Sequence, residues 1–242
     1  MKSRPLFSRR ILLFILILAL ASQACAVTLL EWPSFFPTAG PTTPTGPTGP
    51  TPTPLPRAEV TFTVRLPEPL PANEILVLSI LDEVTGLALN AVDYQMNSVD
   101  ATTYTAKLAI PDQAMLKYRY VRRGAARVNE DTNLDAVIRY RMLHVVGPTQ
   151  VVDTISSWAD RPLSTLSGNI FGTVLNADTG VPIPDILVTA GGAQTLTDSA
   201  GRFQLVGLRG GTHNFVAYAL DGAFQTFQQG ATVAENQSTP VE

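Results

Sequence analysis

Along residues 60–66 the apolar side chains of Val60, Phe62, Val64 and Leu66 take every second position, and a pleated strand puts all four on one face. Similar runs recur at 75–81 (ILVLSIL), 104–110, 116–121 and 137–146. Turn-forming clusters separate them at 82–86, at Pro111 with Asp112, and at Arg123 with Gly124. No stretch of useful length carries a 3.6-residue period, so the pattern predicts short strands about ten residues apart rather than helical crossovers. A fresh set of strands begins after 162–167. It runs through 170–175, a turn at 176–180, 186–190, 195–197, a turn at 198–201, the alternating Phe203, Leu205 and Gly207, and an alternating strand from His213 to Ala219. The expected fold is all-β, with two antiparallel β sandwiches in tandem, residues 57–161 and 168–242, and a linker at 162–167.

Ahead of these strands the pattern is different. Residues 33–56 read PSFFPTAGPTTPTGPTGPTPTPLP, and proline at this density removes backbone donors and fixes φ. The stretch predicts an extended, polyproline-like tether within a linker at 26–56. At the N-terminus, Lys2, Arg4, Arg9 and Arg10 precede an apolar run over 11–21, which at about 1.5 Å per residue spans roughly half a bilayer core. That is the form of a signal peptide, residues 1–25. Three fates stay open: acylation at Cys25, ordinary secretory cleavage near Ala24-Cys25-Ala26, and an uncleaved anchor over 11–30. Each leaves the later residues outside the cytoplasm, because nothing beyond Leu30 is long and apolar enough to span again. The 22–25 segment resembles the end of a bacterial lipoprotein signal, with Ser22 where a Leu is usual, and the resemblance implies lipid attachment at Cys25.

Charge and composition then narrow the function. Of 17 basic and 20 acidic side chains, four basic and no acidic ones lie before Cys25, so the rest of the chain is about 7 units negative. Binding to nucleic acid needs a basic face that displaces phosphate counterions, so that class is disfavoured. Cys25 is the lone cysteine and rules out a disulfide framework or a thiolate metal cage. Catalysis finds no obvious machinery. His144 and His213 both fall in strand-like runs and are expected to be structural, and neighbouring carboxylates such as Asp82 with Glu83 or Glu130 with Asp131 make poor acid/base partners. The expectation is a non-enzymatic protein with no cofactor and no metal.

Two resemblances sit on top of this reading. GTVLNADTGVPIP at 172–184, TDSAGRF at 197–203 and LRGGTH at 208–213 resemble the carboxypeptidase regulatory-like family, a transthyretin-like sandwich, over 168–242. In its turn Asp198 is expected to accept backbone N–H groups, Gly201 to take positive φ and Phe203 to enter the core. The family's last strand usually continues, whereas Ser238-Thr239-Pro240-Val241-Glu242 stops as it starts, so an open edge for a further β module or a protein partner is expected there. More loosely, VTFTVRLP at 60–67, MLKYRYVRRG at 115–124, IRYRMLHV at 138–145 and VVDTISSWAD at 151–160 resemble a starch-binding, family 20 carbohydrate-binding sandwich over 58–161.

The second resemblance implies a polysaccharide ligand. Arg119 stands where the family has a ligand-bonding lysine, and Tyr94, on the loop that usually supplies a tryptophan, is the best remaining stacking residue. Tyr118 and Tyr120 are expected in the core, and Trp158 in packing. Both usual tryptophan platforms are missing. The function expected is therefore an exported, surface-anchored carbohydrate-binding-like protein, or alternatively a structural spacer or protein-interaction stalk.

Overall fold

A computed structural model describes residues 55–82, 86–131, 140–161 and 167–241. The leader, Cys25, the tether and residues 162–166 of the expected linker lie outside the described residues. Among those described the fold is all-β, and the one helical element is a 3-10 turn at Ala88–Asn90.

The first half contributes β1 (Arg57–Arg65), β2 (Ile75–Ile80), β3 (Val92–Gln95), β4 (Asn97–Ser98), β5 (Thr103–Pro111), β6 (Met115–Arg123), β7 (Arg127–Asp131), β8 (Arg141–His144), β9 (Thr149–Thr154) and β10 (Ser157–Trp158). One sheet has the order β4-β5-β1-β9, and the sheet facing it has the order β10-β7-β6-β2-β3, with β8 also pairing β6. Alternation in β1 works as the sequence predicts: Val60, Phe62 and Val64 are fully buried between the sheets, where Phe62 meets Tyr118 edge-on at 5.2 Å. Trp158 closes one end of this core and is itself buried. The face of its ring is covered by the guanidinium of Arg122, 5.1 Å away, and Arg122 is in turn held by Asp160 at 2.6 Å and by an ion pair to Glu74 at 3.1 Å whose N–H is not aimed at the oxygen.

The second half contributes β11 (Ser167–Thr173), β12 (Ile186–Ala190), β13 (Ala193–Leu196), β14 (Arg202–Arg209), β15 (Gly211–Ala219), β16 (Phe227–Val233) and β17 (Ser238–Val241). Its sheets have the orders β14-β11-β17 and β13-β12-β15-β16, closing on a core of Ile170, Val188, Leu205, Leu208, Phe215 and neighbours. The 198–201 turn forms as expected: Asp198 Oδ1 accepts the amides of Ala200 and Arg202 at 2.8 and 2.9 Å, Gly201 has φ +69°, and Phe203 is buried.

Three features depart from the sequence expectation. The sheets are antiparallel except at two places, where β9 runs parallel to β1 and β17 parallel to β11. The 238–241 segment is a full partner of β11 over Asn169–Gly172 and not a strand that fails to start. Ser167, counted with the linker, already belongs to β11.

The two cores do not hang on a string. Strand β8 pairs with β6 on one side only, which leaves the carbonyls of Tyr140 and Met142 and the amide of His144 facing away. Among the described residues no strand meets them. Three amide side chains from the outer face of β13, β15 and β16 do: Gln194 Nε2 donates to Tyr140 O, Asn214 Nδ2 donates to Met142 O, and Gln228 Oε1 accepts from His144 N, each at 2.9 Å. Beside this ladder Thr154 Oγ1 donates to the Thr212 carbonyl at 3.0 Å, and Ser156 Oγ accepts from Arg209 N at 3.2 Å. Gly211 sits so close to Thr154 that a Cβ there would lie 2.5 Å from Oγ1.

Candidate functional site

Arg119 and Tyr94 do not share a surface. Ser79 on β2 pairs with Arg119 on one side and with Asp93 on the other, so these three project to the outer face of the sheet. Tyr94 is the next residue along β3, paired with Leu78, and projects to the opposite face, where it is 38% exposed at the sheet edge. One sugar ring cannot stack on Tyr94 and bond Arg119 together. The outer face around Arg119 is polar. Arg127 forks onto both oxygens of Asp93 and donates to Ser79 Oγ at 3.0 Å, and Arg123 approaches Asp93 at 3.7 Å. The bond from Arg127 holds the Asp93 carboxyl below its usual pKa against the opposing effect of burial. Arg119 is half-buried, its Nε has no hydrogen-bond partner, and burial together with the charge of Arg127 lowers its pKa. Lys117, on the same face, lies 5.0 Å over the Tyr140 ring.

Tyr118 and Tyr120 are core residues, and the structure gives them a task that sequence reasoning missed. Both hydroxyls donate to Asp153 Oδ2 at 2.8 Å. Asp153 Oδ1 receives Arg141 Nη1 at 3.0 Å, while Arg141 Nε and Nη2 fork onto Glu130 and Nη2 also reaches the Thr154 carbonyl. Glu130 Oε1 accepts the backbone amide of Tyr120 at 2.9 Å, on the side of β6 away from β2, where among the described residues the pairing passes from β8 to β7 and leaves Tyr120 without a strand partner. All five side chains are buried. Burial raises both tyrosine pKa values, with the Asp153 charge acting in the same sense. Burial works against the Arg141 charge, but Glu130 and Asp153 outweigh it and leave that pKa raised. For Glu130 burial outweighs Arg141, and its pKa is also raised.

His213 is the other buried ionisable group. Its Nε2 donates to the Arg209 carbonyl at 2.8 Å, and its Nδ1 is buried without a partner. Burial lowers its pKa to about 4. The other histidine, His144, is half-buried, on β8. Glu130, Arg141, Asp153 and His213 are all buried in the protein. Among the described residues no three His, Cys, Asp or Glu side chains converge as metal ligands, and no helix is long and apolar enough to cross a membrane.

A separate concave surface lies on the second sandwich. It is a shallow groove of about 830 Å³, lined by Phe171, Thr173, Leu196, Asp198, Arg202 and Gln204 among others.

No family model and no curated protein matches the chain. Among solved structures it is similar to a family 15 glucoamylase from Hypocrea jecorina, at 20% identity and TM-score 0.31, covering 50% of this chain and 22% of that enzyme. It is also similar to a minor pilin of Streptococcus agalactiae, at 12% identity and TM-score 0.27, covering 76% and 93%. A shaft pilin of Lactobacillus rhamnosus GG follows at 11% identity and TM-score 0.23, covering 76% and 96%. The chain thus spans under a quarter of the glucoamylase. Likenesses this distant add nothing to the β architecture described above.

Proposed function

We propose that this chain is a non-catalytic, exported surface protein whose two sandwiches work as one stiff unit, held off the cell by the Pro/Thr-rich tether and a lipid on Cys25. The observation that carries this reading is the contact between the sandwiches. Five side-chain hydrogen bonds, three of them on one strand edge, hold the second sandwich against the first, which suits a spacer that must transmit position. The buried ionic cluster supports the same reading, since its groups are spent on one another. Nitrogen-15 relaxation on the soluble part should give a single rotational correlation time for both sandwiches; two independent times would overturn the proposal. Mass spectrometry of the mature N-terminus tests the anchor, with diacylglycerol on Cys25 expected and an intact Met1 contradicting it.

Polysaccharide binding on the first sandwich is the second reading. It is favoured by the half-buried side chain of Arg119 on the polar outer face of the β2–β6 sheet. Tyr94 belongs to a different face and takes no part in that version. Retention on a glycan array that disappears in Arg119→Ala would support it.

A further inference from the structure

From the outer face of the β14-β11-β17 sheet we infer a second, distinct ligand site, one built for a neutral saccharide stacked on Phe171. Phe171 is 42% exposed, although it stands mid-strand in β11, and its register partners are Gln204 on β14 and Pro240 on β17, both exposed. Thr173, two residues along, is paired with Arg202. One aromatic face therefore lies beside the hydrogen-bonding side chains of Gln204, Thr173 and Arg202, and that is the combination a pyranose needs. Its C–H face is apolar and stacks on a π surface, while its rim of hydroxyls both donates and accepts.

The polar rim is preorganised. Asp198 is fixed by the amides of Ala200 and Arg202 through Oδ1, and these amides, Arg202 first, hold its carboxyl below its usual pKa. Its Oδ2 takes Arg202 Nε at 3.0 Å, which anchors the guanidinium at its inner nitrogen. The terminal nitrogens of Arg202 and the amide of Gln204 remain as donors and acceptor along the groove that Phe171, Thr173, Asp198 and Arg202 line. The charges on the groove, one guanidinium and one carboxylate, cancel each other. That balance favours a neutral polyhydroxyl ligand over an anionic polymer or a basic peptide. This site is on the sandwich opposite to Arg119 and owes nothing to that residue.

The test uses the full chain in mild detergent, run by affinity electrophoresis through gels containing amylopectin, a β-1,3-glucan, a xylan or a mannan. At least one polysaccharide should retard the wild type. Phe171→Ala should weaken that retardation roughly tenfold, Gln204→Ala should weaken it less, and Phe171→Tyr should keep it. Arg119→Ala should leave it unchanged. Because Phe171 and Gln204 are exposed, circular dichroism and melting temperature should match the wild type, and Gln204→Ala provides the reading if Phe171→Ala alone fails to fold. No retardation of the wild type by any of the four polymers overturns the inference. So does retardation that survives both Phe171→Ala and Gln204→Ala, or that is lost in Arg119→Ala instead.

Discussion

At the scale of single residues, the buried charges decide more than the exposed ones. Arg141 is the only cation facing Glu130 and Asp153 inside the first sandwich among the described residues, and removing it strands two carboxylates away from water. Arg141→Ala should therefore cost about 3–5 kcal/mol in chemical denaturation, whereas Tyr118→Phe, which removes one of two phenol donors to Asp153, should cost about 1 kcal/mol. His213 supplies a pH signature. Its folded pKa of about 4 lies below the unfolded value near 6.5, so between these values the unfolded chain binds a proton that the folded chain refuses. His213 therefore adds no penalty above pH 6.5, and as the pH falls from 6.5 to 4 folding loses about 3 kcal/mol on its account. Glu130, with its raised pKa, pulls the other way, so the quantity to measure is the difference in pH slope between wild type and His213→Gln. The slope should flatten in the variant. Tyr118 and Tyr120 could be read as core from their alternation with Lys117, Arg119 and Val121. That Asp153, Glu130 and Arg141 come to meet them could not, because the three lie on β9, β7 and β8 and converge only through long-range pairing.

At the scale of elements, the edge of β8 is the instructive case. An unpaired edge exposes backbone donors and acceptors and invites another chain to pair with it. Here side-chain amides stand in for the absent strand, spaced to match every second residue of β8. Asn214→Ala would leave the Met142 carbonyl without its partner beneath the second sandwich, at a cost of about 1–3 kcal/mol. Gln228→Ala should make the His144 amide exchange with solvent at least several-fold faster, as measured by hydrogen–deuterium exchange, while the amide of Leu143, which faces β6, keeps its protection. The period-two signal found β1, which buries one clean face, and β6, whose alternation holds as far as Tyr120. It missed β16, where Phe227, Gln228 and Gln229 break the alternation before Ala231 and Val233 turn inward. It was also silent on β9 as a parallel partner of β1, since direction of pairing leaves no trace in the alternation of one strand. In the same way Arg119 and Tyr94 each looked suited to a ligand, and only the β2–β3 register revealed that they face apart. Phe171 carries no distinguishing mark in sequence at all, since an outward phenylalanine and an inward one differ only by register.

At the scale of the whole molecule, the question is whether two cores make one cooperative unit. Five hydrogen bonds cross between the sandwiches, and at about 1 kcal/mol net for each bond they amount to a sizeable fraction of what holds a domain folded. Breaking them also leaves backbone groups of β8 without partners, so the first sandwich loses stability when the second departs. The two should therefore melt together. Calorimetry on the wild type should show one transition whose calorimetric and van't Hoff enthalpies agree. The contact has a specific weak point at Gly211, where the chain approaches Thr154 so closely that no side chain fits. Gly211→Val must push the sandwiches apart, and combined with Gln194→Ala and Asn214→Ala it should split the single transition into two, the first sandwich melting lower than before. Two transitions in the wild type would mean that each core folds on its own and that the contact only orients them. A single transition that persists in the triple variant would place the coupling elsewhere than in the amide ladder and the Gly211 approach.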